Sequence, residues 1–314
     1  MEKAKKQFKD IGHFLAYSGI PTFWRVPHTR QLSGVDIAVM GVPFDIGTTN
    51  RSGARLGPRA IREASLHTGN FHHPWKYDVT DALQIIDYGD VGMGVKTNAT
   101  SYMIEETYTH AKAIFESGAK LLTLGGDHTI PYGMVRAAKD KFGKVALIHF
   151  DSHQDSMSSN DGKEIFHGSF AHDLAEEGTV DASKSAQVFI RTDMANEFGY
   201  NIIYANDALY MSPAEVANKI RQIVGGMPVY ITFDIDALDP VYAPGTGTPV
   251  PGGPTTFFAC EVLRKLIGIN VIGADLVEVA PMYDPANVTS LAAGALACDL
   301  IYLMADGLSL KKPI

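Results

Sequence analysis

The chain has 314 residues, of which 46% are hydrophobic and 20% charged, an ordinary balance for a globular protein with a sizeable core. Its net charge is −8 and it has no basic block, which argues against nucleic acid as a partner. The two cysteines, Cys260 and Cys298, lack CxxC spacing and are expected to be core residues. No secretory segment follows the polar N-terminus, and the apolar segment Leu291–Met304, interrupted by Asp299, is too short to span a membrane. We therefore expect a cytoplasmic protein without a membrane partner.

The hydrophobic pattern predicts strands that alternate with amphipathic helices. Such alternation implies right-handed crossovers, and hence a mostly parallel sheet with helices on both faces. We find no linker or repeat, so residues 1–314 are expected to form one α/β domain. Residues 1–33 have no regular pattern and are predicted to be an arm that packs on this domain or on a neighbouring subunit. The predicted strands are Val35–Val42, Leu83–Tyr88, Leu121–Leu124, Lys144–Ile148, Gln187–Ile190, Asn201–Tyr204, Val229–Phe233 and Val271–Val279.

Three of the predicted helices have clear markers. Pro58 suits the first position of a helix that runs through Ile61. Ser212 and Glu215 form a capping box at the start of another helix. The final helix, Thr289–Met304, is apolar nearly all round, which predicts that it lies buried in the core.

Metal-ligand side chains follow three of the predicted strands, at the edge where parallel α/β sheets bind ligands. In extended backbone, side chains at positions i, i+2 and i+4 point the same way, so those after the fourth strand should converge. Such groups are costly to bury together unless a cation lies among them. The six candidate ligands are His128, Asp151, His153, Asp155, Asp234 and Asp236.

Four carboxylates and two imidazoles suit two divalent ions that share bridging carboxylates. Because the set is rich in oxygen and contains no thiolate, manganese is favoured over structural zinc. The alternative for Asp234 and Asp236 is that they cap the helix after their strand. His149 is predicted to be a hydrogen-bonded core residue rather than a ligand.

These motifs resemble the metal motifs of the ureohydrolases, the arginase and agmatinase family. The resemblance runs from about Val35 to the C-terminal helix. It implies a three-layer αβα domain with an eight-stranded parallel sheet, two manganese ions with nickel as the alternative, and a homotrimer or homohexamer. The segments that carry it are Gly125–His128, Asp151–Asp155 and Phe233–Pro240, together with Gly41–Asp45, Gly57–Arg59, Ala243–Pro249 and Val277–Asp284.

The resemblance also implies roles for individual residues. Glu278 matches the glutamate that pairs with the substrate guanidinium, although a strand glutamate could instead pair with a structural arginine. His167 matches a histidine proposed to shuttle protons at the substrate. One ion would take His128, Asp151, Asp155 and Asp234, and the other His153, Asp151, Asp234 and Asp236, so that Asp151 and Asp234 bridge.

The expected reaction is hydrolysis of a small cationic guanidino compound to urea and an amine. A guanidinium carbon is a poor electrophile, so the reaction needs an activated water that Asp155 can orient before it passes a proton to the leaving amine. We expect agmatine as substrate and putrescine as product, with guanidinobutyrate, guanidinopropionate and guanidine as alternatives. A catalytically inactive partner subunit is the alternative outside enzymes. A two-metal phosphoesterase would need an Asn-His motif that the sequence lacks, and a single-zinc deacetylase would leave Asp155 without a purpose.

Two features depart from the family pattern. Ser152 and Gln154 stand between the ligands of the central motif, where Ala and Thr or Ala are usual, and we predict that Gln154 points away from the ligand face. The segment before His167 lacks the Ser-x-Asn pattern by which arginases hold the amino-acid end of arginine, which disfavours arginine. That segment and the arm at Gly19–His28 are similar to guanidinobutyrase-like members.

Overall fold

The computed structural model describes residues 15–68, 74–92, 99–159, 164–306 and 308. In these ranges the strands form one sheet of eight, in the order β2-β1-β3-β8-β7-β4-β5-β6, and every neighbouring pair is parallel. The predicted parallel sheet is confirmed, with strand ends shifted by a few residues. The strands are β1 (Ile37–Val42), β2 (Ile85–Asp90), β3 (Lys120–Gly125), β4 (Ala146–Phe150), β5 (Ala186–Ile190), β6 (Asn201–Tyr204), β7 (Val229–Asp234) and β8 (Val271–Val277).

Helices cover both faces of this sheet and complete the three predicted layers. Successive residues of a strand point to opposite faces, so each strand contributes to two cores. In β1, Ile37 and Val39 belong to one core, while Ala38 and Met40 belong to the other. The helices are α1 (Gly57–Thr68), α2 (Val79–Ala82), α3 (Ala99–Glu116), α4 (Pro131–Phe142), α5 (Phe170–Glu176), α6 (Ala205–Ala208), α7 (Pro213–Val224), α8 (Thr256–Arg264) and α9 (Val288–Asp306). Residues of α1, α7, α8 and α9 pack in the first core and those of α3, α4 and α5 in the second.

The predicted helix starts are confirmed for α1 and α7. Pro58 lies in the first turn of α1. The Ser212 hydroxyl accepts a hydrogen bond from the Glu215 N–H, and the Glu215 side chain accepts one from the Ser212 N–H. This reciprocal pair satisfies two N–H groups that the helix itself leaves free.

Helix α9 is longer than the predicted Thr289–Met304. By length and composition alone, the segment Pro285–Asp306 could cross a membrane. The expectation that this part of the chain is too short to do so was therefore wrong. Within this segment, 83% of an apolar stretch of 18 residues is buried inside the molecule, as expected of a core helix. Asp299, buried within α9, accepts a hydrogen bond of 2.7 Å from Trp75 Nε1 and one of 3.1 Å from Arg264 Nε. Its charge is therefore compensated inside the core.

The described part of the arm packs on the domain, one of the two predicted alternatives. Phe23 and Trp24 are buried against α1 and β2. The Phe23 N–H donates to Asp87 Oδ2 at 2.8 Å, and the Trp24 N–H donates to Ser65 Oγ at 3.0 Å. Elsewhere in the core, Cys260 and Cys298 are free and buried, as predicted.

Candidate binuclear metal centre

The predicted metal ligands and Glu278 lie near the carboxyl ends of four strands that are neighbours in the sheet, β3, β8, β7 and β4, while His167 lies in the turn before α5. Asp234 is the last residue of β7, and Asp151 and Glu278 directly follow β4 and β8. His128 comes three residues after the end of β3. The parallel sheet therefore brings together side chains from opposite halves of the sequence, at the edge that the sequence predicts.

The turn before His128 requires glycine. A Cβ atom on Gly126 would lie 2.5 Å from the carbonyl oxygen of Val42 and 2.7 Å from that of Phe44. The Gly126 carbonyl accepts the N–H of Glu278 at 2.8 Å. Asp127, also part of this motif, turns back to accept the N–H groups of Gly47 and Thr129. The turn thus fixes His128 against the ends of β1 and β8.

The first ligand set surrounds Nδ1 of His128. This atom lies 3.0 Å from Asp151 Oδ2, 3.0 Å from Asp155 Oδ2 and 3.3 Å from Asp234 Oδ2. It makes no hydrogen bond within the described part of the chain. One proton on Nδ1 could bond to only one of the three oxygens at a time, whereas a divalent ion can take all four atoms as ligands. The donor set therefore fits a metal ion.

The other ring nitrogen of His128 is held by two residues that the sequence analysis did not identify. Nε2 lies 2.7 Å from the Thr232 hydroxyl, which donates to Asp275 Oδ1 at 2.6 Å. Because the hydroxyl proton goes to Asp275, the Thr232 oxygen can only accept the N–H of His128. In the neutral ring this leaves the lone pair of Nδ1 facing the carboxylates, as a metal ligand requires. Burial raises the pKa of Asp275 to about 6.

The second ligand set surrounds His153. Its Nδ1 lies 3.3 Å from Asp151 Oδ1 and 3.2 Å from Asp236 Oδ2. Asp151 therefore offers one oxygen to each set, the arrangement that a bridging carboxylate needs. The Oδ1 atom of Asp234 accepts the Asp236 N–H at 2.7 Å, and the second predicted bridge, by Asp234, stays a prediction.

Ser152, a departure from the family pattern, contacts the second set directly. Its hydroxyl donates to Asp236 Oδ1 at 2.7 Å and lies 3.0 Å from His153 Nδ1. An alanine at this position could make neither contact. Ser152 thus orients the Asp236 carboxylate at this end of the site.

The carboxylates of the two sets repel one another in a buried environment. Burial, followed by the charges of Asp236 and Asp151, raises the pKa of Asp234 well above its ordinary value. Burial and the charge of Asp151 raise the pKa of Asp236. Bound cations would remove this repulsion, which is a further reason why the site fits metal ions.

His149 holds Asp151 from behind, as its predicted hydrogen-bonded core role requires. Its Nε2 lies 2.7 Å from Asp151 Oδ2, and its Nδ1 lies 3.1 Å from Gln187 Nε2. The ring is fully buried. His149 therefore fixes the carboxylate that both ligand sets share.

The side chains after β4 converge for a different reason from the one that we predicted. β4 ends at Phe150, and the chain bends at Asp151–His153 instead of continuing as a strand. Asp155 has a φ of 45° and Glu278 a φ of 65°, which is unusual for residues other than glycine. Alternation along an extended chain was thus the wrong argument. The convergence depends on a bent backbone whose strain is tolerated at this site.

Glu278 and His167 are paired beside the first ligand set. Glu278 Oε1 accepts the N–H of His128 at 2.9 Å and lies 3.1 Å from His167 Nδ1. Burial lowers the pKa of His167, but the Glu278 carboxylate outweighs it and raises the pKa to about 9. The Thr49 N–H opposes this shift, because it donates to Nε2 at 3.0 Å and can bond only the neutral ring. The hydrogen bonds fit a neutral ring with its proton on Nδ1.

A cavity of about 230 Å³ opens in front of the ligands. Glu278 is not among its lining residues. A larger cavity, of about 620 Å³, lies between α1 and the start of α9, and none of the predicted ligands lines it. Part of the segment before His167, including Gly162 and Lys163, lies outside the described residues. The smaller cavity is lined by Thr49, His153, Asp155, Met157, Phe166, His167, Gly168, Thr192, Met194, Asp234 and Thr248.

Comparison with known proteins agrees with this geometry. Residues 35–302 match the sequence profile of the Arginase family. The chain is 42% identical to an agmatinase from Chromobacterium violaceum, over 92% of this chain and 89% of that protein. It is 40% identical to an agmatinase from Shigella sonnei, over 90% and 92% of the two chains.

Solved structures show the same relationship. A hypothetical agmatinase from Burkholderia thailandensis has a TM-score of 0.89 and 43% identity, and the match covers 92% of each chain. The proclavaminate amidino hydrolase of Streptomyces clavuligerus has a TM-score of 0.88 and 32% identity, over 93% of this chain and 99% of that one. Taken with the family profile, these likenesses show that the chain belongs to the arginase family.

Proposed function

We propose that this protein is a two-metal ureohydrolase that converts agmatine and water into urea and putrescine. The observation that carries the proposal is the position of His128 Nδ1, which lies within 3.3 Å of the carboxylates of Asp151, Asp155 and Asp234. Two of these carboxylates, Asp155 and Asp234, line an open cavity. Relatives that are called agmatinases and are at least 40% identical support agmatine as the substrate. We also propose a cytoplasmic location and a homotrimeric or homohexameric assembly, as the family resemblance implies.

The two ligand sets would hold the two ions, with Asp151 shared between them. When bound, the ions would lower the pKa of a water molecule enough for it to attack the guanidinium carbon near neutral pH. The donors are mainly carboxylate oxygens, which supports manganese, with nickel as the alternative. The chain itself supplies the orientation of the reactants and the movement of protons.

Asp155 is placed to handle the proton of the attacking water. Its side chain lines the cavity beside His128, with Oδ2 turned to the first ligand set. From there it can orient the water and afterwards protonate the leaving amine. His167 lines the same cavity, and the opposing effects of Glu278 and Thr49 on its ring suit a residue that exchanges a proton with solvent.

Glu278 is proposed to hold the guanidinium group of the substrate. Its Oε1 is already engaged by His128 and His167, while its Oε2 accepts no hydrogen bond from the described residues. A carboxylate oxygen and a guanidinium N–H form a strong charge-assisted bond that fixes the plane of the substrate. Because Glu278 is not among the residues that line the cavity, contact with a substrate there requires neighbouring side chains such as His167 to move.

The test is urea release from a panel of guanidino compounds after reconstitution of metal-free protein with manganese or nickel. Agmatine should give the highest kcat/KM, with two ions bound per chain. Higher activity on guanidinobutyrate, guanidinopropionate or guanidine would reassign the substrate within the same chemistry. If full occupancy by either metal gives no urea from any compound, the proposed activity is wrong and the inactive-subunit alternative is favoured.

A further inference from the structure

Gln154 lies between two predicted metal ligands, yet its side chain contacts a different part of the molecule. It is fully buried. Its Oε1 accepts the backbone N–H of Met194 at 2.8 Å, and its Nε2 has no partner among the described residues. Because the Met194 N–H needs an acceptor, the amide oxygen must be the atom that faces it. The side chain therefore makes one specific bond, to the segment after β5.

That segment runs alongside the central ligand motif. The N–H groups of Arg191 and Thr192 both donate to the Ser152 carbonyl, at 3.0 and 3.2 Å. Further along, the Ser156 hydroxyl donates to the Ala195 carbonyl at 3.0 Å. Gln154 supplies the bond at Met194, between these two points of attachment. Threonine or alanine, which are usual at this position, would be too short to supply it.

Met194 lines the cavity in front of the ligands. Together with Met157 and Phe166 it provides an apolar part of the cavity wall. The carboxylates of the described lining are Asp155 and Asp234, which belong to the first ligand set and not to this apolar wall. A methylene chain attached to a guanidinium can pack on this apolar wall, whereas a charged group placed there would lose its water without gaining a partner.

We infer that Gln154 is a positioning residue that sets substrate preference by holding Met194 in the apolar wall of the cavity. The inference rests on the proposed function. Its substrate class is guanidino compounds whose guanidinium is followed by an unbranched methylene chain. A substrate with a charged branch that would contact Met194, such as the α-carboxylate of arginine, is disfavoured.

The test uses variants that separate Gln154 from its target. Gln154→Met keeps the side-chain volume and removes the acceptor, and no other side-chain hydrogen bond within the described ranges is lost, because Nε2 makes none there. Met194→Ala removes the wall itself. Each change should raise the KM for agmatine about tenfold, with kcat within about twofold and both ions retained. The Ki of guanidine, which has no methylene chain, should stay unchanged.

A double-mutant comparison decides whether Gln154 acts through Met194. The KM of the Gln154→Met/Met194→Ala protein for agmatine should be no higher than that of Met194→Ala alone, because the side chain that Gln154 holds in place is already absent. Met157→Ala is the matched control, since Met157 lines the same cavity and the Gln154 side chain makes no hydrogen bond to it in the described part of the chain. In the Gln154→Met/Met157→Ala protein, the increase in KM should equal the product of the increases in the two single variants. The inference is overturned if the KM increases multiply in the Gln154→Met/Met194→Ala protein as well. It is also overturned if Gln154→Met lowers kcat or metal content and leaves KM unchanged.

Hydrogen exchange gives a readout that needs no turnover. The Met194 amide should exchange about tenfold faster in Gln154→Met than in the wild-type protein, because it loses its acceptor. Unchanged exchange in an enzyme that releases urea overturns this inference alone. A wild-type protein that releases no urea from any guanidino compound overturns the proposed function, and the inference with it.

Discussion

The two ligand sets share Asp151 but differ in how far they are enclosed. The side chain of His128 is 1% exposed, whereas that of His153 is 26% exposed and lines the cavity. His128 is fixed from behind by Thr232 and Asp275, and the second set is fixed by Ser152. The histidine of the first set thus lies in the core, and the histidine of the second set lies at its border with solvent, while Asp155 and Asp234 of the first set also line the cavity. We expect the ion at His153 to exchange more readily with chelators.

The largest effect is expected where the two sets meet. Asp151→Asn should lose both ions, because one oxygen of Asp151 faces each set. Urea release should fall by at least about a thousandfold, or ~4 kcal/mol in the activation barrier. Metal content by mass spectrometry and a urea assay would measure this, with Asp207→Asn, an exposed change in α6, as the control. Retention of one full equivalent of metal would show that Asp151 serves only one set.

A smaller effect is expected at Glu278, which belongs to neither set. Glu278→Gln should keep two ions per chain and lower kcat/KM for agmatine about a hundredfold, because the guanidinium loses a charged acceptor. Steady-state kinetics together with metal analysis would distinguish this outcome from that of Asp151→Asn. Loss of metal in this variant would place Glu278 in the support of the first set instead of in substrate binding.

The first set can be weakened selectively through Thr232. Thr232→Val removes the hydroxyl that accepts the His128 N–H and should lower the affinity of one ion by about ten- to a hundredfold. Thr232→Ser, which keeps the hydroxyl, is the matched control. Chelator competition followed by metal analysis should show one tight and one weakened site. Equal loss at both sites would mean that the two sets do not behave independently.

The smallest effect is expected at Ser152, in the second set, where a substitution should weaken the other ion. Ser152→Ala removes one hydrogen bond to Asp236 and should weaken the ion at His153 about tenfold, with the other ion unaffected. The same chelator competition applies, and the pattern should be opposite to that of Thr232→Val. If both variants weakened the same ion, the distinction between an enclosed and a border site would be wrong.

The sheet and the clustering of the six candidate ligands were predictable because each depends on short-range patterns. Buried parallel strands appear as continuous apolar runs, and the ligands follow these runs directly. The supporting pair Thr232 and Asp275 was not predicted. The two residues are aligned only by the register between β7 and β8, which pairs Thr232 with Asp275 across 43 positions of sequence. A threonine in one strand and an aspartate in another have no visible relation until that register is known.

The backbone conformation after β4 also could not be predicted from the sequence. Side-chain types indicated a metal site, but nothing local indicated a positive φ at Asp155. That conformation is imposed by the contacts around it, among them the bond from the Ala171 N–H to the Asp155 carbonyl. Gln154 was correctly predicted to point away from the ligands, while its partner Met194 lies 40 positions away and became known only from the fold.

The strand order has a consequence for how the protein is assembled. β1, β2 and β3 are neighbours on one side of the sheet and β4, β5 and β6 on the other, and only β7 and β8 join the two groups. Each group can pair as soon as its strands have been synthesised, whereas closure of the sheet must wait for the last two strands, whose contacts span the most sequence. The nascent chain therefore has no complete metal site until the gap is closed. We therefore expect metal uptake to be a late event in biogenesis that stabilises a finished sheet rather than guiding its formation.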